Sequence, residues 1–410
     1  MAQRPCRFCK APLTETFVDL GMSPPSNAFL SREQTTRMER FYPLHAFVCS
    51  HCLLVQLEEF ETPEQIFGEY AYFSSYSTSW LEHCKRYADE MVESLHLGSG
   101  DLVVELASND GYLLQYFIAH GVPVLGIEPA RNVAAVAVEK GVPTIAEFFG
   151  RELADKLAAA GRRADLIAAN NVLAHVPDLN DFVAGVARLL KDTGTATFEF
   201  PHVLRLIESN QFDTIYHEHF SYFSLTTLVN VFAKHGLAID DVAELSTHGG
   251  SLRLFVRHER AAGPNAKSRV RKVLDDEKTA GLDRIEGYLG FAPRVSATKR
   301  SLLTFLIEAK NAGKSIAAYG AAAKGTTLLN YCGVRRDFIE YIVDRNPHKQ
   351  DTFLPGCHIP VVDPARIFET KPDYVLILPW NLKDEVMAQM TEIRSWGGSF
   401  VIPIPTVAVE

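Results

Sequence analysis

The chain has 410 residues, which is long enough for two or three domains. Apolar residues make up 47% of it and charged residues 22%, the composition of an ordinary soluble globular protein. The formal net charge of -9 argues against a nucleic-acid polymer as the main partner, because binding many phosphates requires a basic surface.

The sequence carries no targeting or membrane signal. No apolar region follows Met1, so no signal peptide is expected, and no run approaches the ~18 apolar residues of a membrane span. The predicted location is therefore the cytoplasm, and nothing in the sequence demands an oligomer, so a monomer is expected. In a reducing compartment, cysteines are free or bound to metal more often than paired in disulfides.

The first predicted unit, residues 1–72, is organised around two Cys-x-x-Cys pairs. Four thiolates on two tight turns form the closed tetrahedral site that structural zinc prefers. The predicted zinc ligands are Cys6, Cys9, Cys49 and Cys52. A redox role is the weaker interpretation, because neither pair opens a helix after a strand. His45 and His51 are the alternative ligands.

An aromatic and hydroxyl-rich segment ends this unit. It reads Tyr70-Ala-Tyr72-Phe-Ser-Ser-Tyr76-Ser and has no helical or strand period. Two interpretations stay open from these residues alone. The segment is a linker packed on its neighbours, or it faces a substrate and its hydroxyl groups bind phosphate or sugar.

The second predicted unit, residues 73–260, alternates helices with short apolar strands. A helix is predicted over 79–95 and a buried strand over 101–106, followed by a small-residue turn and a helix over 112–120. Further strands are predicted at 124–128, 164–171 and 195–200. This alternation predicts an α/β fold with a doubly wound parallel sheet.

The turn after the first strand and the acid after the second resemble those of class I S-adenosylmethionine (SAM) methyltransferases. Glu128 ends the second strand and is expected to accept the ribose hydroxyls. A dinucleotide dehydrogenase places an acid there too, but the stretch Asn171-Val-Leu-Ala-His175-Val-Pro-Asp178 resembles the methyltransferases. Ala107 stands where that family often has glycine. The resemblance implies a cofactor-binding set: Glu105, Ala107, Asn109, Gly111, Glu128, Asn170 and Asn171.

The stretch with the most proton-transfer chemistry reads Tyr216-His-Glu-His-Phe-Ser-Tyr-Phe223. Histidine titrates near pH ~6.5 and acts as a base at neutral pH, and tyrosine can donate a hydrogen bond to a developing oxyanion. The stretch lies between the predicted strand ending at Phe200 and a helix capped by Ser224. It is therefore expected at the carboxyl edge of the sheet, beside the loop that carries His175.

The third predicted unit, residues 261–410, begins after an Ala-Ala-Gly-Pro-Asn boundary and a charged helical stretch over 267–312, broken near Gly290. A strand, the turn Gly320-Ala-Ala-Ala-Lys324-Gly325 and a strand ending at Asp344 then predict a second Rossmann-like unit. Small residues at a helix N-terminus suit a phosphate, and Lys324 would add charge. The alternative is a packing turn that binds no ligand.

Taken together, the three parts resemble the zinc-containing SAM-dependent C-methyltransferases of deoxysugar biosynthesis over nearly the whole chain. Members of this type methylate C-3′ of a dTDP-linked 4-keto-deoxysugar. The matching motifs are the four cysteines, the Tyr70–Tyr76 segment, Glu105-Leu-Ala-Ser-Asn-Asp-Gly111, Tyr216-His-Glu-His219 and Gly320-Ala-Ala-Ala-Lys-Gly325. The resemblance implies SAM and a structural Zn²⁺ as cofactors, and a nucleotide sugar held between the second and third units.

The resemblance also implies roles for individual residues. His219 is expected to be the general base, with Tyr216 or His175 stabilising the enolate oxygen and Glu218 orienting an imidazole. The hydroxyls of the aromatic segment and a lysine are expected to contact the nucleotide sugar: Tyr70, Tyr72, Tyr76 and Lys324. His217 and Tyr222 are expected to be structural.

Two other functions remain open at this point. An O- or N-methyltransferase would also need a base such as His219, and a binding protein could keep the SAM fold without catalysis. The presence of Tyr216, Glu218 and His219 together disfavours the binding protein, because a scaffold does not need a base beside the methyl group.

Overall fold

The structure is a computed structural model, and it describes residues 4–62, 74–76, 78–262 and 268–410. Three sheets organise the described chain, with strand orders β1-β2-β3-β9, β10-β11-β8-β7-β4-β5-β6 and β14-β13-β12-β15-β16-β17. Among the helices described, none combines the length and apolar character that crossing a membrane requires.

The N-terminal sheet takes its fourth strand from the middle of the chain. Strands β1 (Glu15–Ser23), β2 (Tyr42–Val48) and β3 (Val55–Gln56) pair in antiparallel fashion. Strand β9 (Ser221–Tyr222) then adds to β3, with Gln56 opposite Ser221 and Val55 opposite Tyr222. The strand that follows the His-rich stretch is therefore part of the N-terminal sheet.

The central sheet has a parallel core with an antiparallel edge. Its parallel strands are β4 (Val103–Leu106), β5 (Val124–Ile127), β6 (Thr144–Ile145), β7 (Ala164–Asn170) and β8 (Leu190–Pro201). Strands β10 (Leu237–Leu245) and β11 (Ser251–His258) extend it by antiparallel pairing onto β8. This mixed sheet with a doubly wound core confirms the predicted fold class of the middle unit.

Helices cover both faces of the central sheet. They are α1 (Thr78–Leu95), α2 (Leu114–Ala119), α3 (Arg131–Glu139), α4 (Arg151–Ala159), α5 (Leu179–Leu189), α6 (Val203–Glu208) and α7 (Leu225–Ala233). The Ser224 hydroxyl accepts a hydrogen bond from the Thr227 backbone N–H, which confirms the predicted N-cap of α7. The helix predicted from residue 112 begins two residues later, at Leu114, after a turn in which Gly111 has a left-handed φ of 78°.

The C-terminal part is a second parallel sheet preceded by a helical connection. Helices α8 (Ser268–Thr279), α9 (Glu286–Leu289) and α10 (Phe291–Asn311) form the connection, which breaks near Gly290 as predicted. The sheet contains β12 (Ile316–Tyr319), β13 (Ile342–Val343), β14 (Val361–Val362), β15 (Tyr374–Ile377), β16 (Ser399–Ile402) and the antiparallel β17 (Ala408–Val409). Helices α11 (Ala323–Cys332), α12 (Ala365–Thr370) and α13 (Lys383–Gln389) pack on it.

The N-terminal sheet shares its hydrophobic core with the rest of the molecule. Phe17 of β1 stacks on Phe291 of α10, with ring centroids 4.6 Å apart, and both belong to the cluster that continues into the C-terminal sheet. Cys6, Cys49 and Leu54 pack in a second cluster with the central sheet. The N-terminal region is therefore held against both other parts by buried apolar surface.

Candidate active site

The four predicted zinc ligands converge. The Sγ atoms of Cys6, Cys9, Cys49 and Cys52 all lie within 4.8 Å of one another. The Cys6–Cys52 and Cys9–Cys49 pairs are each 3.5 Å apart, close to the ~3.8 Å edge of a tetrahedron with Zn–S bonds of ~2.3 Å. Four thiolates of this geometry fit zinc and leave no open position for a substrate.

The two knuckles share one backbone design. In each, the residue after the second cysteine has a left-handed φ: 65° at Lys10 and 62° at Leu53. Its N–H donates to the carbonyl of the first cysteine, at 3.0 Å in one knuckle and 2.9 Å in the other. Gln56 supports the first knuckle, because its Nε2 lies 3.2 Å from Cys6 Sγ. The sequence around each pair thus preorganises two thiolates on one turn.

The carboxyl edge of β4 and β5 carries the predicted cofactor residues. Glu128 is buried and accepts hydrogen bonds from the backbone N–H groups of Asn109 at 2.9 Å and Ala130 at 2.8 Å. These bonds fix its carboxylate between the turn and α3 while each oxygen keeps a second lone pair. Ala107 and Asn109 have left-handed φ values of 53° and 47°. The alanine at position 107 therefore adopts the backbone conformation that a glycine favours.

A glycine is required where this turn approaches Val142, which lies between α3 and β6. A Cβ added at Gly111 would lie 2.7 Å from Val142 Cγ2, and the left-handed φ of 78° disfavours other residues. This single glycine does the work that several share in more glycine-rich turns.

Glu105 supports a cationic ligand at this edge. Its side chain is fully buried, and both carboxylate oxygens lack a hydrogen-bond partner among the described atoms. Burial raises its pKa far above the ordinary value, opposed by the Tyr112 hydroxyl that faces it. Asn170 is also buried with neither amide atom paired. A buried carboxylate without a counter-ion favours a ligand that brings a positive charge, and the ammonium of SAM fits that requirement.

The His-rich stretch forms a compact hydrogen-bonded unit. His219 Nδ1 lies 2.9 Å from the carbonyl oxygen of Thr214, so in the neutral ring the proton sits on Nδ1. His219 Nε2 then has a free electron pair, and the Tyr216 hydroxyl lies 2.9 Å from it as the donor. Burial is the main cause that lowers the pKa of His219 well below its ordinary value, and the neighbouring His175 lowers it further when that ring is protonated. The residue is a neutral base with a defined tautomer.

His175 meets His219 from the neighbouring loop. The two rings pack edge to face with centroids 4.8 Å apart, and the Phe220 N–H donates to the Ala174 carbonyl at 2.7 Å. Burial lowers the pKa of His175 to about 4, against a hydrogen bond to the Glu218 backbone that raises it. His175 is thus neutral near pH 7 and lies where sequence reasoning expected it, at the same edge as His219.

The Glu218 carboxylate has partners outside the His-rich stretch. It is buried and accepts a hydrogen bond of 2.7 Å from Asn27 Nδ2 in the N-terminal region. It also raises the pKa of Lys349, which burial lowers more strongly. The Glu218 backbone, in contrast, is the part of this residue that reaches the His175 ring. Glu218 thus reaches an imidazole through its backbone, while its carboxylate bonds Asn27 and acts on the charge of Lys349. The orienting of an imidazole by the Glu218 carboxylate stays a prediction.

Lys324 reaches the same region from the C-terminal part. Its Nζ donates to Asn381 Oδ1 at 2.6 Å and lies 4.6 Å from the centroid of the Trp380 ring. Trp380 Nε1 donates to Asp213 Oδ2 at 2.8 Å. Burial raises the pKa of Asp213 to about 6, and the positive charge of Lys324 opposes the rise. The lysine lowers the pKa of both His219 and His248, so it is within electrostatic reach of both rings.

These side chains define the candidate active-site cleft. His175, His219 and Lys324 lie deep in the molecule, yet each of them, like Tyr216, keeps solvent-accessible surface. The cleft lies where the carboxyl edge of the central sheet meets α11, whose Thr327 hydroxyl donates to the Ile215 carbonyl at 3.0 Å. This is the place where doubly wound sheets bind their ligands.

Arg7 lies inside the first zinc knuckle and contacts the two loops that carry His175 and His219. Its guanidinium donates to the carbonyl oxygens of Pro177 and Leu57, the latter at 2.9 Å. It also stacks on Phe220, with Cζ 5.1 Å from the ring centroid. Pro177 lies two residues after His175, and Phe220 follows His219. The zinc site is thereby connected to the loops that carry both histidines.

The tyrosines predicted to bind the substrate lie wholly or partly outside the described residues. Tyr70 and Tyr72 lie outside the described residues, as does the side chain of Tyr76. The Ser74 N–H, in the described part of that segment, donates to Asn109 Oδ1 at 2.9 Å, which places Ser74 beside the cofactor turn. His217 Nε2 lies 3.3 Å from the Pro43 carbonyl, a contact with the N-terminal sheet.

Other cleft residues were absent from the sequence prediction. Asp213, His248, Lys349, Trp380 and Asn381 reach it only through tertiary packing. One signal was available: Trp380 and Asn381 follow β15, at a carboxyl end of a parallel strand, where ligands are expected. The other signal was the His248-Gly-Gly sequence, which is typical of a tight left-handed turn.

Three family models match the chain. They are described as "Putative zinc binding domain" over residues 6–67, "Methyltransferase domain" over 80–242 and "C-methyltransferase C-terminal domain" over 246–405. The chain is 37% identical over 403 residues to the C-methyltransferase NovU of Streptomyces niveus, covering 98% of this chain and 95% of that protein.

Solved structures also align with part of the chain. The magnesium protoporphyrin IX methyltransferase ChlM from Synechocystis PCC 6803 with bound SAM is 16% identical, with a TM-score of 0.33, and covers 47% of this chain and 88% of that one. The CcbJ methyltransferase from Streptomyces caelestis is 14% identical, with a TM-score of 0.33, and covers 43% and 89%.

Proposed function

This chain belongs to the family of zinc-binding, SAM-dependent C-methyltransferases, and we propose that it methylates a carbon beside the ketone of a nucleotide-linked keto-deoxysugar. The proposed position is C-3′ of a dTDP-4-keto-2,6-dideoxyhexose. The observation that carries the proposal is the Tyr216–His219 pair: a neutral imidazole with its lone pair on Nε2, at the edge that holds the cofactor residues.

The chemistry begins with removal of a weakly acidic proton. A carbon beside a ketone loses a proton only when a base is positioned and the enolate oxygen is stabilised. His219 Nε2 takes the proton, the C–H electron pair becomes the C=C bond, and the carbonyl π pair moves to oxygen. When the substrate binds, the Tyr216 hydroxyl turns its hydrogen from His219 to that oxygen, which frees the base. His175 packs edge to face on His219 and keeps its ring in place.

SAM, when bound, would supply a methyl group activated by its sulfonium. The enolate carbon would take this methyl group as the C=O bond reforms, with S-adenosylhomocysteine as the leaving group. The chain holds this donor through charge and backbone. Glu105 offers a buried carboxylate to the ammonium, Glu128 offers lone pairs to the ribose hydroxyls, and Asn170 has both amide atoms available. His219 returns its proton to water through the cleft after the methyl transfer.

Two lysines suit the diphosphate of a nucleotide sugar. Lys324 projects from the N-terminus of α11, and Lys349 donates to the Ala321 carbonyl at 2.8 Å in the turn before that helix. Both are deep in the protein, and burial lowers the pKa of each. A dianionic ligand would pair with both ammonium groups and oppose this lowering of their pKa values. The hydroxyls of Tyr70, Tyr72 and Tyr76 are proposed to contact the same nucleotide sugar.

The zinc ion has a structural role in this proposal. Its four thiolate ligands leave no position for a substrate, and its knuckles anchor Arg7 and β3 against the loops of the active site. A single protein chain supplies every residue named in the proposed chemistry, so a monomer is sufficient.

The test is a product analysis against a small panel of dTDP-4-keto-6-deoxy- and dTDP-4-keto-2,6-dideoxyhexoses. With SAM, we expect a product heavier by one methyl group, with a new C–CH₃ signal in the NMR spectrum and loss of the proton on the methylated carbon. In D₂O with S-adenosylhomocysteine instead of SAM, we expect deuterium to enter the carbon beside the ketone.

Each alternative gives a different result in the same panel. An O- or N-methyltransferase would yield a methyl signal on oxygen or nitrogen and leave the carbon proton in place. A binding protein without catalysis would bind a sugar nucleotide and form no product. A product methylated at C-5′ would show the same type of reaction at a carbon other than the proposed C-3′. His219→Asn serves as the catalytic control, since it removes the base and leaves the cofactor residues intact.

A further inference from the structure

His248 is a strained residue inside the cleft. It lies in the turn between β10 and β11 and has a left-handed φ of 54° and ψ of 23°, although it has a side chain. Asn171, at the end of β7, is also left-handed with a φ of 55°. The Asn171 amide nitrogen lies 3.4 Å from His248 Nε2. Strained residues of this kind persist where the surrounding structure holds them, and they cluster at functional sites.

The C-terminal part holds this turn in place. Gly249 has a φ of 87°, and a Cβ added there would lie 2.6 Å from Trp380 Cη2. The Gln211 side chain donates to the Gly249 carbonyl at 2.7 Å. The position of His248 therefore depends on the same tryptophan that bonds Asp213.

The contact with Asn171 defines the protonation of the imidazole. An amide nitrogen can only donate, so His248 Nε2 is the acceptor and the proton of the neutral ring sits on Nδ1. Burial lowers the pKa of His248 to about 4, and the positive charge of Lys324 contributes to the decrease. The charge of Glu199 raises the pKa of His248, and His83 lowers it. The ring is thus neutral near pH 7 and has an N–H to donate.

The ring also stays accessible. His248 is exposed although it lies deep in the molecule, and Trp80 packs beside it with ring centroids 5.6 Å apart. Asn171 follows the strand that ends at the cofactor edge, and His248 lies within electrostatic reach of His219, whose pKa it lowers. A hydrogen-bond donor that cannot be charged at neutral pH stabilises an oxyanion without acting as a base.

We propose that His248 is a further catalytic residue whose Nδ1–H donates a hydrogen bond to the ketone oxygen of the substrate. The inference rests on the proposed function and adds the second donor of an oxyanion site. As the C–H bond breaks and His219 takes the proton, negative charge moves to that oxygen, which is held by Tyr216 on one side and His248 on the other. Asn171 is the positioning residue that keeps the His248 proton on Nδ1.

The experiment uses His248→Gly, because glycine adopts the left-handed conformation without strain and removes only the side chain. His248→Asn is the rescue variant, since asparagine tolerates the same conformation and its amide can donate. His96→Gly is the matched control: His96 is a second left-handed histidine, with a φ of 54°, exposed at the end of α1. For each variant, we would measure kcat and KM, SAM affinity by calorimetry, and deuterium exchange with a dTDP-4-keto-6-deoxyhexose and S-adenosylhomocysteine.

For His248→Gly, we expect kcat and the exchange rate to fall together by about 10²–10³-fold, the usual loss for one oxyanion donor, with SAM affinity within twofold. His248→Asn should recover at least tenfold, and His96→Gly should match the wild type. Exchange within threefold of the wild type would overturn the inference, and so would weaker SAM binding with kcat retained at saturation. If the wild type neither exchanges nor methylates any sugar of the panel, the proposed function fails, and this inference fails with it.

Discussion

Arg7 provides a direct test of how the zinc domain supports the active site. The change is Arg7→Met, which keeps an unbranched apolar stem and removes the guanidinium. In the protein, that guanidinium donates to the carbonyls of Pro177 and Leu57 and stacks on Phe220. The substitution leaves the four thiolates and the Gln56 support of Cys6 untouched.

The expected cost follows from these contacts. A buried carbonyl left without a donor costs about 1–3 kcal/mol, and the low end applies to these two because both hydrogen bonds are only partly buried. A cation–π contact adds about 0.5–2 kcal/mol. Since the methionine stem retains part of the packing, we expect the free energy of unfolding to fall by about 2–4 kcal/mol. The loops of His175 and His219 lose a shared anchor, and a displacement of ~1 Å at a reacting group costs up to ~10²-fold in rate. We therefore expect kcat to fall by about 10–100-fold.

Arg4→Met is the matched control. Arg4 lies three residues before Arg7, on the other side of Cys6 in the sequence, and it also stacks on an aromatic ring, Phe47, with Cζ 5.1 Å from its centroid. Its ion pair with Glu58 is at the surface, where such pairs contribute about 0–1 kcal/mol. The assays are urea unfolding, zinc content by mass spectrometry, SAM titration by calorimetry, and steady-state methylation.

We expect both variants to hold one zinc and to bind SAM like the wild type, and only Arg7→Met to lose stability and kcat. The reasoning is refuted if Arg7→Met unfolds at the same urea concentration as Arg4→Met and turns over within threefold of the wild type. A loss of zinc in Arg7→Met would show that the arginine acts on the metal site itself.

Three further outcomes test the site. Cys49→Ser should lose zinc and unfold the N-terminal region, measured by metal content and proteolysis, because metal binding and folding are coupled; a soluble variant that keeps one equivalent of zinc would contradict this. Glu105→Gln should weaken SAM binding by about 10–100-fold, because it removes a hydrogen bond to a charged group. The melting temperature of the apoprotein should not fall, because the buried carboxyl has a raised pKa and its charged form is unfavourable there. Unchanged affinity in calorimetry would exclude the ammonium contact. The acid limb of kcat/KM should lie below pH ~6.5, because burial lowers the pKa of His219 and the base stays unprotonated as pH falls through that value; a limb at or above 6.5 would assign the limiting titration to another group.

The sequence by itself determined the parts that depend on local pattern. Two Cys-x-x-Cys pairs predict a four-sulfur site because a knuckle is a local turn, and the four Sγ atoms do converge. Alternating strands and helices predict the parallel sheet, and the strand-end rule predicts that His175 and His219 meet at one edge, where their rings pack 4.8 Å apart. The Ser224 N-cap could also be predicted from the sequence, because a serine before an apolar run favours a helix start.

Only the tertiary structure decided which groups pair across the three regions. Strand β9 leaves the central unit to join the N-terminal sheet, because a two-residue strand has no pattern strong enough to reveal its partner. The Glu218 carboxylate pairs with Asn27, 191 residues away, rather than with an adjacent imidazole. Hydrogen bonds at such separation depend on how whole sheets pack, which side-chain chemistry does not encode locally.

The same reason explains why His248 escaped the sequence analysis. It lies 29 residues after His219 in the sequence, and only the packing of the C-terminal part on Gly249 brings Trp380 against its turn. The tautomers of His219 and His248 follow from single contacts, with the Thr214 carbonyl and the Asn171 amide. The sequence thus supplied the reactive groups and their edge of the sheet, while packing between the regions determined their protonation and their orientation.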